Sequence, residues 1–299
     1  MKKSVSLLLA GLMLCGALAG CGGNNNTAEN TDSQTEQTSE STGMSGAIHV
    51  VSREDGSGTR GAFVELTGVE DDNGDNTTVD AEIANRTDAV LTTVAGNEAA
   101  IGYVSLGSLN DTVKAVTVDG VEATVDNVKS GTYTLSRPFN IATKGEPTGV
   151  AKDFINFILS ADGQAIVEEE NYIKVDDAAP AFTSDGSSGQ IAVGGSSSVS
   201  PVMEKLIEAY QTVNPNAKIE LQTSDSTSGM TGAMDGTFAI GMASRELKDE
   251  EAAELTGTAI ALDGIAVIVN TANTVDNLTM DQIRSIYVGE TTDWADVAA

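Results

Sequence analysis

Ser52-Arg53-Glu54-Asp55-Gly56-Ser57-Gly58-Thr59-Arg60 lies between two different periodicities. Ahead of it, Ile48 to Val51 is rich in β-branched residues. Behind it, Ala62, Phe63 and Leu66 recur at helical spacing. The spacing predicts a strand, a glycine-rich loop and a helix start. Gly56 and Gly58 let the backbone turn tightly and approach a ligand with no Cβ in the way. Ser57 and Thr59 place hydroxyls where the first helical N–H groups have no partner, and Arg53 and Arg60 add positive charge. Free N–H groups, hydroxyls and an arginine at a helix start suit a small oxyanion. Taken alone, the stretch also fits a plain capped helix after a glycine turn.

Two more stretches repeat the pattern. Residues 194–201 read Gly-Gly-Ser-Ser-Ser-Val-Ser-Pro after the strand-like Ile191 to Val193, with Pro201 where a helix would begin. Residues 223–230 read Thr-Ser-Asp-Ser-Thr-Ser-Gly-Met after Ile219 to Leu221, ahead of a helical stretch with Met230, Ala233 and Met234. Three strand-to-helix turns rich in Ser, Thr and Gly exceed what capping requires. In an open α/β sheet such turns lie at the carboxyl ends of strands, where ligands bind.

This combination resembles the substrate-binding proteins of phosphate ABC transporters, over most of residues 46–299 and most specifically at Arg53 to Thr59. The resemblance implies an α/β, two-lobed periplasmic-binding-protein-like fold of type II with the ligand cleft between lobes. It implies that Arg53 and Asp55 flank a phosphate bound by Ser57, Gly58 and Thr59, that Ser197 and Ser198 form the family's first loop, and that Thr227 and Ser228 form its second helix start. The order of the halves is reversed relative to the family. The Gly-Ser-Ser-Ser-Val half follows the Arg-Glu-Asp-Gly-Ser-Gly-Thr half, and Ile286 to Val297 resembles the family segment just upstream of the Arg53 loop. The order is that of a circular permutant, which adjacent domain termini permit.

The ends and the composition agree with an exported binding protein. Lys2, Lys3 and the apolar Leu7 to Leu18 form a secretory signal over residues 1–20. Leu18-Ala19-Gly20-Cys21 resembles a bacterial lipobox, in which Cys21 carries diacylglycerol and palmitate chains and holds the protein on the extracytoplasmic face of the cell membrane. The alternatives are an ordinary cleavage site or a membrane anchor. Cys15 lies in the signal, so disulfides, thiolate-bound metal and thiol catalysis are not expected in the mature chain. Residues 21–45, nearly devoid of apolar side chains, are predicted to be a disordered tether; about 24 flexible residues reach roughly 25–30 Å, enough to tumble near a transporter mouth. The 299 residues carry a formal charge of −28, which becomes −30 once Lys2 and Lys3 leave with the signal. That charge and an aromatic content of 4% argue against nucleic acid as a partner. It also repels phosphate at long range, so the site must work through short-range donors.

Residues 46–134 with 271–299 are assigned to one lobe, lobe 2 of the family. Residues 135–270 are assigned to lobe 1, with a linker over 176–190 that joins the family's C-terminus to its N-terminus. Asp88 to Val94 reads as a helix, Ala99 to Val104 as a buried strand, Asp119-Gly120 as a hairpin turn between 114–118 and 122–125, and Asp263-Gly264 as a turn between strands 258–262 and 265–270. Asp71, Asn73, Asp75 and Glu82 have calcium-loop spacing, but Asn76 occupies the glycine position, and an acidic surface loop is expected. Arg137 falls on a segment that crosses between lobes in the family, either near the cleft or as a surface or hinge arginine. Some relatives carry Asp where Arg245 stands. Arg245 is either a second clamp on the anion or a partner of Asp55 or Glu246.

The leading expectation is a lipoprotein that captures inorganic phosphate, without cofactor or metal, and delivers it to an ABC permease and ATPase complex. Asp55 would accept the proton of a protonated phosphate, which sulfate lacks. The alternatives are a binding protein for sulfate, molybdate or tungstate, an adhesin or scavenger without a transporter, and a secreted hydrolase using Ser57 or Ser198. The single histidine, His49, leaves a hydrolase one candidate base. No paired-histidine metal motif and no Gly-x-x-x-x-Gly-Lys-Ser/Thr loop is present in the sequence.

Overall fold

The computed structural model describes residues 44–297. Cys21, the signal and the tether up to residue 43 lie outside them. The buried run of β1 (His49–Arg53) leads into α1 (Gly58–Thr67), the two-residue strands β2 (Glu70–Asp71) and β3 (Gly74–Asp75), then β4 (Glu82–Ala84), α2 (Thr87–Gly96) and β5 (Ala100–Ser105). β6 (Val113–Ala115), β7 (Thr117–Val118) and α3 (Val125–Lys129) complete this region. β8 (Ser136–Thr143) carries the chain onward to α4 (Gly149–Ile158), α5 (Ala161–Glu169) and β9 (Ile173–Lys174). A second βαβαβ run follows: β10 (Gly189–Ser196), α6 (Ser200–Val213), β11 (Ala217–Ser224), α7 (Ser226–Asp235) and β12 (Ile240–Ala243). After α8 (Asp249–Ala252), β13 (Thr256–Asn270) returns the chain to the first region, which β14 (Asn277–Leu278) and α9 (Met280–Tyr287) finish.

One mixed sheet orders its main strands β11-β10-β12-β8-β13-β5-β1-β4. Its two halves repeat one plan. In each, the first strand of a βαβαβ unit sits between the second and the third, all parallel, and an antiparallel strand flanks the third. The carboxyl ends of β1 and β10, and the helices that follow them, are thereby placed at equivalent positions. The interior is likewise divided. Phe63, Tyr103 and Tyr287 pack with ring centroids 3.9 and 4.7 Å from Phe63 in one half. Phe154, Phe157, Leu206 and Tyr210 fill the other. α4 shows why such helices form: Val150, Phe154, Phe157 and Ile158 recur at helical spacing and are buried, each contributing about 1.5–3 kcal/mol.

β13 overturns one expectation. Asp263-Gly264 is not a turn, and the strand runs unbroken for 15 residues. Residues 256–264 pair with β8, and 265–269 pair with β5. Asp263 tolerates the strand because Arg137 donates to it at 3.0 Å. Gly264 suits the site because a Cβ there would lie 2.9 Å from Val128. The turn at Asp119-Gly120 does form, with φ of 50° and 77°. The expected strand over 122–125 does not form, and the turn is closed by a single bridge, Val118 to Val121, because Thr124 caps α3 and β7 pairs with β14 instead. The stretch read as a linker is tied down. Buried Asp153 accepts from Ser184 Oγ at 2.6 Å and from the Asp185 N–H at 3.0 Å, and Phe182 packs on Phe157 with ring centroids 5.2 Å apart.

The two ends of the described chain lie side by side. Ile48 N–H donates to Thr292 O at 2.8 Å, and Trp294 N–H donates to Gly46 O at 2.9 Å. The Trp294 indole is buried and donates to Ala99 O at 2.9 Å.

Candidate anion-binding site

β1 delivers Arg53 to the seam between the halves, where its side chain is 2% exposed. Glu54 receives the Nε and Nη2 donors of its fork, each at 2.8 Å. The remaining donors reach across: Nη2 to Ser197 Oγ at 3.1 Å and Nη1 to Thr87 Oγ1 at 3.4 Å. Tyr103 Oη accepts from the Arg53 backbone N–H at 3.2 Å and pairs with Ser52 Oγ at 2.9 Å, which fixes the end of the strand. Burial pushes the Tyr103 phenol above its usual range, so it stays a neutral hydroxyl.

Around the guanidinium lies a buried set of hydroxyls from both halves. Thr59 Oγ1 pairs with Ser198 Oγ at 2.8 Å, and Thr87 Oγ1 lies 3.3 and 3.2 Å from the hydroxyls of Ser197 and Ser198. Next to them Ser196 donates to Ser244 at 2.9 Å, and Ser226 Oγ accepts from the Ser244 N–H at 3.1 Å. Four helices begin at these loops: α1, α2, α6 and α7. Each start presents N–H groups without intrahelical partners and the positive end of its dipole. The halves approach closely here. Thr227 N–H donates to Gly56 O at 3.2 Å, and a Cβ on Gly58 would fall on Ser226 Oγ and lie 2.9 Å from Ser244 Oγ. Glycine at 58 is therefore a condition of this approach.

Of the residues singled out from sequence, the structure brings together Arg53, Gly58, Thr59, Ser197 and Ser198. Ser57 is buried beside them, with its hydroxyl capping α1 by accepting from the Arg60 N–H at 3.3 Å. Asp55 stands apart. Its carboxylate is 96% exposed and pairs with Arg60 at 2.8 Å, while its neighbour Glu54 turns back to Arg53. Thr227 and Ser228 also point elsewhere. Thr227 Oγ1 accepts from Arg245, and Ser228 Oγ donates to Asp225, so the hydroxyl of this helix start that faces the cluster is Ser226. Arg245 is not directed at the hydroxyls and pairs with neither Asp55 nor the Glu246 carboxylate. Glu251 accepts from both its terminal nitrogens, at 2.7 and 2.8 Å. Burial raises the Glu251 carboxyl, but the hydrogen bonds from Arg245 and the Lys248 N–H outweigh it, and the carboxyl lies below its usual range.

Thr87, Ser196, Ser226, Ser244 and Glu54 were not anticipated. A fourth strand-to-helix turn, Asn85-Arg86-Thr87-Asp88, carries the signal for Thr87. The acidic loop residues find separate partners: Asp71 accepts from the Asn73 N–H, Asp75 from Arg60 and Glu82 from His49. Among the described residues no three His, Cys, Asp or Glu side chains converge to hold a metal ion, and no helix is long and apolar enough to cross a membrane. His49 bonds to Glu82 at 2.8 Å, whereas the hydroxyl partners of Ser198 are Thr59 and Thr87, so the one histidine does not serve either serine named for a hydrolase.

A family model for a PBP superfamily domain matches residues 19–162 and 180–299. A phosphate-binding protein PstS 2 from Streptococcus agalactiae is 48% identical over 304 residues, covering 99% of this chain and 98% of its own. The chain belongs to the phosphate-binding proteins of the PBP superfamily. A family member of known structure, a phosphate-binding protein of a phosphate ABC transporter from Streptococcus pneumoniae, superposes with a TM-score of 0.69 at 46% identity, over 84% of this chain and 100% of that one. The Bacillus subtilis phosphate-binding protein PstS aligns differently, at 37% identity over 134 residues, 44% of this chain and 42% of its own. The family is one of solute-binding proteins of ABC transporters, which places its members outside the cytoplasm.

Proposed function

We propose that this protein captures inorganic phosphate between two lobes and delivers it to an ABC permease and ATPase complex, while lipid chains on Cys21 hold it at the outer face of the cell membrane. The observation that carries this reading is Arg53, buried and in hydrogen-bond contact with hydroxyls from both halves. The ligand set is Arg53, Ser57, Gly58 and Thr59 with Thr87 from one lobe, and Ser197, Ser198 and Ser226 from the other. Charge-assisted donors in a dry seam bind a tetrahedral oxyanion more strongly than exposed ones do, and ligation from both sides favours the closed arrangement. The lobes are residues 46–134 with 271–297, and 135–270, joined through β8 and β13. Glu54, next to the site, takes the role first expected of Asp55: it accepts the proton of a protonated phosphate, which sulfate cannot offer.

The permuted order belongs to the same reading. Two halves of one plan, adjacent chain ends, and a Bacillus subtilis relative that aligns over less than half of either chain support it. The test of function is calorimetric titration of the ligand-stripped protein with phosphate, repeated in excess sulfate. Tight binding that survives sulfate is expected. A folded protein that gives no heat with phosphate, or prefers sulfate, molybdate or tungstate, would overturn the assignment.

A further inference from the structure

Among the described residues, four buried side-chain polar atoms lack a hydrogen-bond partner: Ser108 Oγ, Tyr172 Oη, and Nε and Nη1 of Arg137. They gather at one place. Tyr172 packs so closely on the 105–108 loop that a Cβ on Gly107 would fall on its ring. Arg137 lies over Phe139, which packs against Tyr172, with its guanidinium carbon 5.4 Å from the Phe139 ring centre. Its Nη2 donates to Asp263, which also accepts from Ser105 at 2.9 Å. The place lies where β8 and β13 pass between the halves, and both contribute to it: Ser105 and Ser108 from one, Arg137 and Tyr172 from the other. Ser108 also lines a cavity of about 290 Å³ together with Thr87 and Ser197, the two hydroxyls that touch Arg53.

Asp263 takes one N–H of this guanidinium and leaves two buried donors unmet. Native interiors rarely leave such groups unpaired, because each has given up water for nothing. The titratable and charged groups that face Arg137 are Asp263 on β13, Arg53 on β1 and Tyr172 ahead of β9. Burial, and after it the Asp263 charge, hold the Tyr172 phenol above its usual range, so it stays a neutral hydroxyl. Three N–H groups, one on Nε and two on Nη1, and two O–H groups thus gather beside a second guanidinium, that of Arg53. Phosphate exchanges between a singly and a doubly charged form near neutral pH, and a second cation favours the doubly charged one.

We propose that Arg137 is a specificity-determining ligand of the bound oxyanion, its free Nε and Nη1 donors reaching the anion from the floor of the cleft and selecting the doubly charged form. This rests on the phosphate reading above. The test titrates the full chain, in detergent, with inorganic phosphate below and above the conversion of monoanion to dianion. The wild type is compared with the double variant Arg137→Gln/Asp263→Asn, which replaces the ion pair with an amide pair and leaves no lone buried charge. The double variant is expected to bind about tenfold more weakly or worse on the dianion side and to lose most of the wild type's gain in affinity with pH. Unchanged affinity with an unchanged pH profile in a cooperatively melting variant would mean that the pocket holds only water, and would overturn the proposal. Should the double variant not fold, Arg137→Lys keeps the charge and loses the fork; intermediate affinity is expected, and wild-type affinity overturns the proposal equally. Failure of the wild type to bind phosphate is a separate result, against the assignment of function itself.

Discussion

The two halves share one strand order and equip the seam differently. The half that begins at β1 brings charge: Arg53, with Glu54 held against it. The half that begins at β10 brings hydroxyls, from Ser196, Ser197, Ser198, Ser226 and Ser244, and its Arg245 is committed to Glu251. The shared topology places helix starts, and therefore partial positive charge, on both sides. Formal charge depends on individual side chains, such as Arg53 and Glu54 at the end of β1. On the proposed reading, one half supplies the charge of Arg53 and the other most of the hydroxyls.

The largest expected effect comes from removing that asymmetry. Arg53→Met deletes the cation and leaves Glu54 without its partner, and phosphate affinity is expected to fall by about 100-fold or more. A loss below about fivefold, read by calorimetry, would show that the hydroxyl half binds on its own. Next is Gly58→Ala, which leaves both interiors intact and inserts a methyl group between Gly58 and Ser226. Affinity is expected to drop by about tenfold as the halves are held apart, with an unchanged melting temperature and a larger radius of gyration in the presence of phosphate by small-angle scattering. A compact, tight-binding variant would break the claim that the approach requires glycine. A finer test lies within one helix start. Ser226→Ala is expected to weaken binding by about five- to tenfold, the cost of one buried hydrogen bond, and Ser228→Ala by less than about twofold. Equal effects would return the site to the register first read from sequence.

The smallest effect concerns the arginine that the hydroxyl half does not use. The Glu251 carboxyl lies below its ordinary 4.5, so its pairing stabilises the fold above that pH and the contribution is lost as pH falls through the lowered value. Glu251→Gln is expected to flatten this acid limb, measured by urea melts across the acidic range. Asp263 has the opposite sign. Burial, against the pull of Arg137 and Ser105, pushes it up to about 6. Its contribution is therefore most favourable at low pH and declines as pH rises from 3.8 to about 6.

The strand-to-helix turns were legible because each signal is local: a β-branched run, then Gly, Ser and Thr, then helical spacing. What the sequence left open is settled by tertiary partners. Asp225, Ser226, Thr227 and Ser228 are all acceptable at a helix start. Asp225 takes the cap by accepting from the Ser228 N–H at 2.8 Å, and this turns Ser226 inward. Glu54 and Asp55 are adjacent carboxylates, and only the direction in which β1 ends decides which meets Arg53. Arg245 meets a glutamate six residues ahead because Glu251 reaches back over the start of α8 to accept from the Lys248 N–H at 2.9 Å. Asp263-Gly264 carries a strong local turn signal, which loses to an arginine 126 residues away.

The joint between the chain ends has a mechanical consequence. β1 is entered at His49 and leaves at Arg53, five residues and about 13 Å later. Tension arriving from the N-terminal side is met first at Gly46, Ala47 and Ile48, which are zipped to Thr292, Asp293 and Trp294. The pull is shared with the last segment of the fold and clamped by the buried indole before it reaches the strand that ends at Arg53. A pull at that end loads this joint before it loads the strand that carries Arg53.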